Sequence, residues 1–276
     1  MGFDGVHPED DAVSRGVGYR VRVMSSLFIT SALLPVPHGF ATRTGGVSEG
    51  RYASLNLGFS VGDVRERVEE NYRRLAAAAN APLGALRLVK QVHGDAVLQA
   101  KGGQSSDTLQ PQVGDADALF TEQPGDWVGV SAADCVPVLL VDPEGKRVAA
   151  VHSGWRGTDA DVSARAVESL AARGSRPEKL LVAVGPAIQQ CCYVVSPELA
   201  RHFAERFGPD VVVARGDEFR LDLSRAVVLT LRRVGVKVAH MDVLQECTSC
   251  DSARFFSHRR DAGRTGRHIN FVVHRF

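Results

Sequence analysis

Two histidines and a cysteine, each near the end of an apolar stretch, are the residues of this 276-residue chain best suited to chemistry. His93 follows LVKQV and precedes Gly94, Cys135 precedes VPVLLV, and His152 follows VAAV. Their separations, 42 positions (93 to 135) and 17 positions (135 to 152), form no compact motif. Imidazole and thiolate ligands suit zinc or copper far better than magnesium or calcium. Three such ligands would leave a fourth position open, as in catalytic zinc sites.

The residues after His152 form a glycine-containing turn that leads into a predicted helix. The sequence there is SGWRGT, and such a turn offers backbone N–H groups and the positive end of the helix dipole to an anion. Arg156 would add a charged partner that can bind phosphate through two hydrogen bonds. The segment therefore predicts an anion site, the alternative being an ordinary strand-to-helix turn with an exposed arginine.

The elements that must position these residues follow from the periodicity of apolar side chains. Spacings of three or four residues predict helices, which we place at 63–79, 158–173, 197–207 and 222–234. Runs rich in β-branched residues and bounded by turn residues predict strands, which we place at 27–33, 39–42, 86–92, 96–100, 127–131, 136–141, 147–152, 180–184, 211–214, 237–242, 255–259 and 268–273. The order shows no strict strand–helix alternation, which favours an α+β fold over a doubly wound sheet.

The composition narrows the class of protein. A chain of this length with 44% hydrophobic residues can bury a substantial core without disulfides. The 33 basic and 32 acidic residues give a net charge of +1 without a basic stripe, so we expect no nucleic-acid partner. The five cysteines are unevenly spread and odd in number, which favours a reducing compartment.

The ends and linkers of the chain suggest one cytoplasmic domain. Residues 1–23 lack the apolar core of a signal peptide, and no apolar run is long enough to span a membrane. We expect a disordered or loosely packed leader at 1–23, with translation able to begin at Met24, and a single catalytic domain at 24–276. The polar stretch 101–114 is interpreted as a surface loop, because the metal hypothesis requires residues on both sides of it to meet.

A family resemblance rests on several blocks in a fixed order: QVHG, DADALFT, SAADCVPVLL, AVHSGWRGT, VGPAI…CCY and FFSHRRD…TGR. PHGFATRTGGVSEGRYASLNLG, nearer the N-terminus, extends the match to roughly residues 37–273. Together these blocks resemble the YfiH family, whose members are described either as multicopper polyphenol oxidases (laccases) or as purine nucleoside phosphorylases with adenosine deaminase activity. The resemblance implies a four-layer α/β/β/α sandwich with mixed β-sheets in a single domain. It also implies that His93, Cys135 and His152 bind the metal.

The function implied by the resemblance is that of a zinc-dependent purine nucleoside phosphorylase. Its substrates would be phosphate and adenosine, inosine, guanosine or methylthioadenosine, and it would also deaminate adenosine. An open zinc site can lower the pKa of bound water, which suits deamination. The alternatives are a copper-dependent polyphenol oxidase, a Cys-His hydrolase or amidase with Cys135 as nucleophile, and a non-catalytic binding protein. The oxidase ranks lower because trinuclear copper clusters need paired histidines, and the nine histidines include no H-x-H pair.

Candidate substrate residues lie in the N-terminal blocks. Arg43 in ATRTGG is a second candidate for phosphate. Asn56 in SLNLG, and Phe40 and His38 in HGF, are candidates for the purine pocket. The alternative for HGF is the start of a buried strand. The oligomeric state is left open.

Three further features stand apart from these candidate sites. The pair Cys191-Cys192 and the CxxC of Cys247 and Cys250 are interpreted as structural, because a zinc ribbon needs a second CxxC. Two positions depart from the family pattern and could alter specificity: Val194 stands where a Glu is common, and His258 where a Tyr is usual. A cluster of arginines could brace the fold, pair with Asp115 and Asp117, or bind an anion; its members are Arg259, Arg260, Arg264 and Arg267.

Overall fold

Short strands and helices follow one another irregularly along residues 27–102, 106, 108–109 and 112–276, which the computed structural model describes. The strands are β1 (Phe28–Ile29), β2 (His38–Ala41), β3 (Leu86–Arg87), β4 (Val97–Gln99), β5 (Ala118–Thr121), β6 (Trp127–Ala132), β7 (Val136–Asp142), β8 (Arg147–Ser153), β9 (Leu181–Val184), β10 (Val194–Val195), β11 (Val212–Arg215), β12 (Glu218–Leu221), β13 (Met241–Val243) and β14 (His268–Val273). The α-helices are α1 (Arg65–Ala79), α2 (Trp155–Asp159), α3 (Val162–Ala171), α4 (Pro197–Phe207) and α5 (Leu223–Arg233). The predicted leader, Met24 and part of the loop 101–114 lie outside the described residues.

Two mixed sheets form the centre of the fold. The first has the order β1-β2-β14-β6-β3, antiparallel except for the β3–β6 pair. The second has the order β13-β9-β7-β8-β5-β4, with parallel pairs at both edges and antiparallel pairs between them. A small antiparallel sheet, β10-β12-β11, lies outside both. The predicted mixed sheets are therefore confirmed.

Three apolar cores define the layers. One core is formed by inward residues of both sheets, including Phe40, Val130, Leu139, Val148, Ala183 and Val272. A second joins α1 to the first sheet and includes Val68, Tyr72, Leu75, Trp127 and Phe271. The third joins α3, α4 and α5 to the second sheet and includes Val138, Leu140, Val167, Val182, Phe203, Ala226 and Leu231. Because successive residues of β7 alternate between the first and third cores, all seven of its residues are buried. The predicted α/β/β/α sandwich is confirmed.

Local sequence signals account for most helix boundaries. Ser196 accepts a hydrogen bond from the Leu199 N–H and begins α4, and Asp222 caps α5 through the Arg225 N–H. Asn80, in a left-handed conformation, ends α1. The helix predicted at 158–173 is wrong as one element, because Asp161 has a φ of 64° and separates α2 from α3.

The strand predictions fail where the chain is apolar without being extended. Residues 255–257 are irregular and 258–259 lie in a turn, and Phe255 and Phe256 are buried because they pack around the ring of His268. The strand predicted at 237–242 begins only at Met241, after a short 3-10 turn at Val238–His240. Three observed strands were not predicted: β5, β10 and β12.

No helix in the described residues has the length and apolarity that crossing a membrane requires.

Candidate metal centre

The hairpin of β7 and β8 brings Cys135 and His152 together. Cys135 directly precedes β7, and Pro137 of β7 pairs with His152 of β8 across the antiparallel register. His93 lies in the segment that follows β3. The ligand atoms of the three residues all lie within 4.8 Å of one another. The rings of His93 and His152 are nearly perpendicular, with centroids 4.9 Å apart. The structure thus brings together the three residues that the sequence placed in a metal site.

A buried carboxylate orients both histidines. Asp117 Oδ1 accepts a hydrogen bond of 2.8 Å from Nδ1 of His152. Its Oδ2 accepts the backbone N–H groups of Val92 (3.1 Å) and Gly94 (2.7 Å), the two neighbours of His93. Because the carboxylate accepts the Nδ1 proton, Nε2 is the nitrogen of His152 that can bind a metal, in exchange for its own proton. His93 itself has a φ of 61°, a strained conformation for a non-glycine residue, and the Asp117 bonds hold that turn.

The charges of the three residues favour a thiolate. Burial would raise the pKa of Cys135, but the positive charge and hydrogen bonds of His152, with His93, lower it to about 6. Burial would lower the pKa of His152, but Cys135 and Asp117 raise it to about 9. Burial likewise opposes ionisation of Asp117, yet the bonds to His152 and Gly94 lower its pKa overall. The thiol is therefore ready to bind a cation near neutral pH.

The donor set and the space around it fit a zinc ion. Two imidazole nitrogens and one thiolate are ligands that zinc binds in open, catalytic sites. Gly154 leaves the required room: a Cβ at that position would lie 3.1 Å from Cys135 Sγ and 3.2 Å from His93 Cδ2. His93, Cys135 and His152 would hold the metal. The hydrogen bond that His152 donates to Asp117 is typical of metal-binding histidines.

Asp134 fixes the turn that carries Cys135. This residue has a φ of 93° and is 8% exposed. Its carboxylate accepts hydrogen bonds from the hydroxyls of Thr248 (2.6 Å) and Ser257 (3.0 Å) and from the Arg259 N–H (2.6 Å). The polar turn before β7 is therefore tied to the segment that contains FFSHRRD.

A cavity of about 1240 Å³ opens beside the three residues. Its lining includes basic side chains, aromatic rings and two acids: Arg65, Arg73, Lys90, Arg156, Arg259 and Arg267; Phe59, Tyr72, Trp155 and Tyr193; Glu69 and Asp134. A cavity of this size, with apolar walls and several convergent polar groups, is suited to a small-molecule ligand. The excess of basic groups favours an anionic one.

Of the other predicted substrate residues, Arg156 alone lines this cavity. Its guanidinium lies over the ring of Trp155, with 4.3 Å from Cζ to the centroid. Arg43 donates hydrogen bonds to the carbonyls of Ala53 and Ser252 and lies over Phe256. The structure therefore gives Arg43 a bracing position outside the cavity lining, and its prediction as a phosphate ligand gains no support.

The three candidates for the purine pocket are also placed elsewhere. Phe40 is fully buried between the two sheets. His38 accepts a hydrogen bond from the Ser31 N–H and donates one to the Val36 carbonyl, so both ring nitrogens are used. Asn56 bonds to Asp63 and Gly58 and accepts the Arg267 N–H. The polar groups of His38 and Asn56 already have hydrogen-bond partners, and the buried Phe40 has no surface that reaches the cavity. All three residues therefore hold chain segments in place.

Sequence reasoning missed several residues of the site or gave them other roles. Asp117 was considered a partner of the arginine cluster, but it binds His152, and Asp115 pairs with Lys90. Tyr193 of the CCY block and Arg267 of TGR line the cavity. The motif blocks contained these residues, but spacing alone could not show which strands become neighbours.

The two departures from the family pattern differ in position. His258 lines the cavity. Val194 belongs to β10, and its carbonyl accepts a hydrogen bond of 2.7 Å from Arg259 Nη1. A side-chain change at His258 can therefore reach a ligand in the cavity directly.

Known proteins are similar to this chain over most of its length. A family model described as multi-copper polyphenol oxidoreductase laccase matches residues 37–275. The chain belongs to this family. It is 37% identical over 245 residues to the purine nucleoside phosphorylase YlmD of Geobacillus stearothermophilus, a match that covers 86% of this chain and 89% of the relative. It is 37% identical over 244 residues to the purine nucleoside phosphorylase YfiH of Escherichia coli strain K12, which covers 86% and 95%.

Solved structures of the family share the fold. The crystal structure of YlmD from Geobacillus stearothermophilus superposes with a TM-score of 0.85 at 34% identity, covering 92% of this chain and 98% of that one. The resemblance to the YfiH family that the sequence blocks indicated is confirmed.

The remaining four cysteines form a second cluster. Cys191, Cys192, Cys247 and Cys250 place their sulfur atoms within 4.8 Å of one another. The spacing of the two pairs did not predict that they meet; the fold supplies each pair with the other. Within the described residues, this cluster and the His93–Cys135–His152 group are the two sets of side chains arranged to hold a metal.

Proposed function

We propose that this protein is a zinc-dependent purine nucleoside phosphorylase that also deaminates adenosine. The observation that carries the proposal is the His93–Cys135–His152 group, oriented by Asp117, on the wall of a large cavity rich in arginine. The relatives YlmD and YfiH are named purine nucleoside phosphorylases, which supports the same reaction class. Adenosine, inosine, guanosine and methylthioadenosine are the substrates that we propose, with inorganic phosphate as the second substrate.

Phosphorolysis requires an anion next to the ribose. A phosphate oxygen forms the new bond to C1′, the glycosidic bond breaks, and the purine leaves with the bonding electrons and takes up a proton. Arg156 and Arg259 are exposed cations on the cavity wall, and the charges of both act on the hydroxyl of Tyr193. We assign phosphate to these two guanidinium groups, because they can bind it through paired hydrogen bonds.

Arg267 lines the same cavity and belongs to the segment that directly precedes β14. Its Nη1 donates hydrogen bonds to the carbonyls of Thr265 and Gly266, which hold the side chain against the wall. Burial lowers the pKa of Arg267, and the negative charges of Cys135 and Asp134 act in the opposite direction. We propose that this fixed cation orients the ribose and its incoming phosphate.

The purine needs an aromatic wall and a hydrogen-bond donor. Tyr193 and Trp155 line the cavity near Arg156. Burial raises the pKa of Tyr193 to about 12, so its hydroxyl keeps its proton at neutral pH and can donate to a ring nitrogen of the base. We propose that Tyr193 and Trp155 form the base site.

A zinc ion held by His93, Cys135 and His152 would supply Lewis acidity and activation of water, which deamination of adenosine requires. The protein's own contribution is orientation. Asp117 keeps His152 in the tautomer that presents Nε2, and Asp134 holds the turn of Cys135. Copper oxidase chemistry is less well supported, because a trinuclear copper cluster needs more histidines than either potential metal group of the described residues contains.

One observation favours a second candidate function, a Cys-His hydrolase or amidase. Cys135, His152 and Asp117 form a chain of hydrogen bonds and opposite charges that resembles a nucleophile, its base and an orienting acid. Alkylation by iodoacetamide separates the two functions. Zinc-loaded phosphorylase should protect Cys135 and lose that protection after chelation, whereas a hydrolase should be labelled and inactivated at Cys135 with zinc present.

The direct test is product analysis with adenosine, with and without phosphate. We expect adenine and ribose 1-phosphate only when phosphate is present, and inosine in either condition. Zinc content should be measured on protein purified without added metal. Release of neither adenine nor inosine from adenosine by zinc-loaded protein would contradict the proposal.

A further inference from the structure

We infer that Cys191, Cys192, Cys247 and Cys250 form a second metal site, a tetrathiolate zinc site that fixes one wall of the cavity. The sulfur atoms come from two loops, one after β9 and one after β13, which are parallel neighbours in the second sheet. The loops are themselves paired: Ala187 and Cys247 form a parallel bridge, and the Thr248 N–H donates to the Ala187 carbonyl at 3.0 Å. Four thiols therefore converge from two segments of fixed relative position.

The distances between the sulfur atoms fit a single tetrahedral ion. Zinc–sulfur bonds of about 2.3 Å in a regular tetrahedron place the sulfurs roughly 3.8 Å apart. The separations here are 3.8 Å for Cys191–Cys192, 3.5 Å for Cys191–Cys250 and 3.3 Å for Cys192–Cys250. All five cysteines of the chain are free thiols. The thiolates of an iron–sulfur cluster bind different iron atoms and lie farther apart, so a single ion is the better fit.

The backbone around Cys247 resembles that of a metal-binding CxxC turn. The Gln189 N–H donates to the Cys247 sulfur at 3.4 Å, and the backbone N–H groups of Ser249 and Cys250 point at the same sulfur. Backbone donors arranged in this way around one sulfur suit a thiolate that binds a metal.

Two guanidinium groups border the cluster. Arg220 donates to the Cys191 carbonyl, and Arg260 donates to the carbonyls of Thr248 (2.9 Å) and Ser249 (3.4 Å). A zinc ion with four thiolates carries a net charge of −2, which nearby cations stabilise. A guanidinium group thus donates to the backbone of each of the two loops that supply the thiols.

The position of the cluster explains what the ion would do. The first loop also contains Ile188 and Tyr193, which line the cavity, and the second contains Thr248, whose hydroxyl binds Asp134 beside Cys135. A metal that joins the loops would hold these side chains in place. The inference rests on the fold and not on phosphorolysis, so it can succeed or fail independently of the proposed function.

The test is zinc content of the full chain purified without chelators, in wild type and three variants. Cys135→Ala removes the thiolate of the first site and should keep about one zinc per chain, and Cys192→Ser/Cys250→Ser should lose that zinc in the same background. Cobalt substitution of Cys135→Ala should give the intense visible bands of a tetrathiolate, which a site with two histidines would not give. Cys250→His is the matched control, because it keeps a fourth zinc ligand and should retain the ion.

A thiol titration of the wild type tests the site without any variant that could misfold. A thiol reagent that releases the zinc of the second site should modify about four thiols per ion lost. Less than about a tenth of a zinc per chain in Cys135→Ala would overturn the inference, as would a disulfide among these cysteines in freshly purified protein or iron in place of zinc.

Discussion

Nδ1 of His152 lies 2.8 Å from Oδ1 of Asp117, and this one contact selects which nitrogen of the histidine can bind a metal. The carboxylate is fully buried, and its other oxygen holds the two N–H groups that flank His93. A single side chain therefore orients two of the three proposed ligands.

Replacing Asp117 with Asn should weaken zinc binding without removing a ligand. The amide is nearly the same size, but it carries no negative charge and can present its N–H group to Nδ1, which would reverse the tautomer of His152. We expect zinc affinity to fall about 10- to 100-fold, measured by competition with a chromophoric chelator. Asp115→Asn is the matched control, because Asp115 forms only a surface pair with Lys90. Equal affinities for both variants would contradict this role.

Replacing Gly154 with Ala should disturb the same site by contact alone. The added Cβ would lie 3.1 Å from Cys135 Sγ and 3.2 Å from His93 Cδ2, so at least one ligand must shift. Because metal sites tolerate only small changes in distance, we expect zinc content well below that of wild type, with the thermal midpoint measured in parallel. Gly102→Ala is the control, since its Cβ would meet nothing closer than 3.7 Å. Full zinc occupancy in Gly154→Ala would show that the pocket has more room than these distances imply.

The sequence predicted that His93, Cys135 and His152 lie together because each is beside a strand-like run or in a recognisable block. Cys135 and His152 end adjacent strands of one hairpin, and apolar periodicity locates both strands. The four-layer arrangement came from the family resemblance and agrees with the three cores.

What the sequence could not supply was contact between distant segments. Asp117 lies in DADALFT, whose strand β5 was missed because the run is short and begins with acids. Cys192 and Cys247 are 55 positions apart in the sequence. The parallel pairing of β9 with β13 brings the two cysteine pairs together. His38 and Asn56 looked available for substrate, but turns that the sequence does not reveal use their polar atoms.

Acid should destabilise the fold partly through His268. This ring accepts the Phe256 N–H on Nε2 and contacts the Ala132 carbonyl through Nδ1, and burial lowers its pKa from 6.5 to about 3. Between these values the unfolded chain binds a proton that the folded chain does not, so stability falls as pH drops below about 6.5. At pH 5 the loss from this group is about 2 kcal/mol.

The measurement is denaturant unfolding of wild type and His268→Gln at pH 7 and pH 5. Glutamine can donate and accept the same hydrogen bonds but does not titrate, so the variant should lose less stability than wild type over this interval, whatever its stability at pH 7. Identical losses in the two proteins would mean that His268 does not contribute to acid sensitivity.

Arg156 should control the use of phosphate. It is the predicted anion residue that lines the cavity, and its guanidinium is held over Trp155. A charge-assisted hydrogen bond contributes roughly 1.5–3 kcal/mol, so Arg156→Ala should raise the phosphate KM by about 10- to 100-fold. The KM for nucleoside in the phosphate-independent deamination should change much less. Arg165→Ala, an exposed position on α3 that pairs with Glu168, is the matched control. An unchanged phosphate KM in Arg156→Ala would assign phosphate to Arg259 and Arg267 instead.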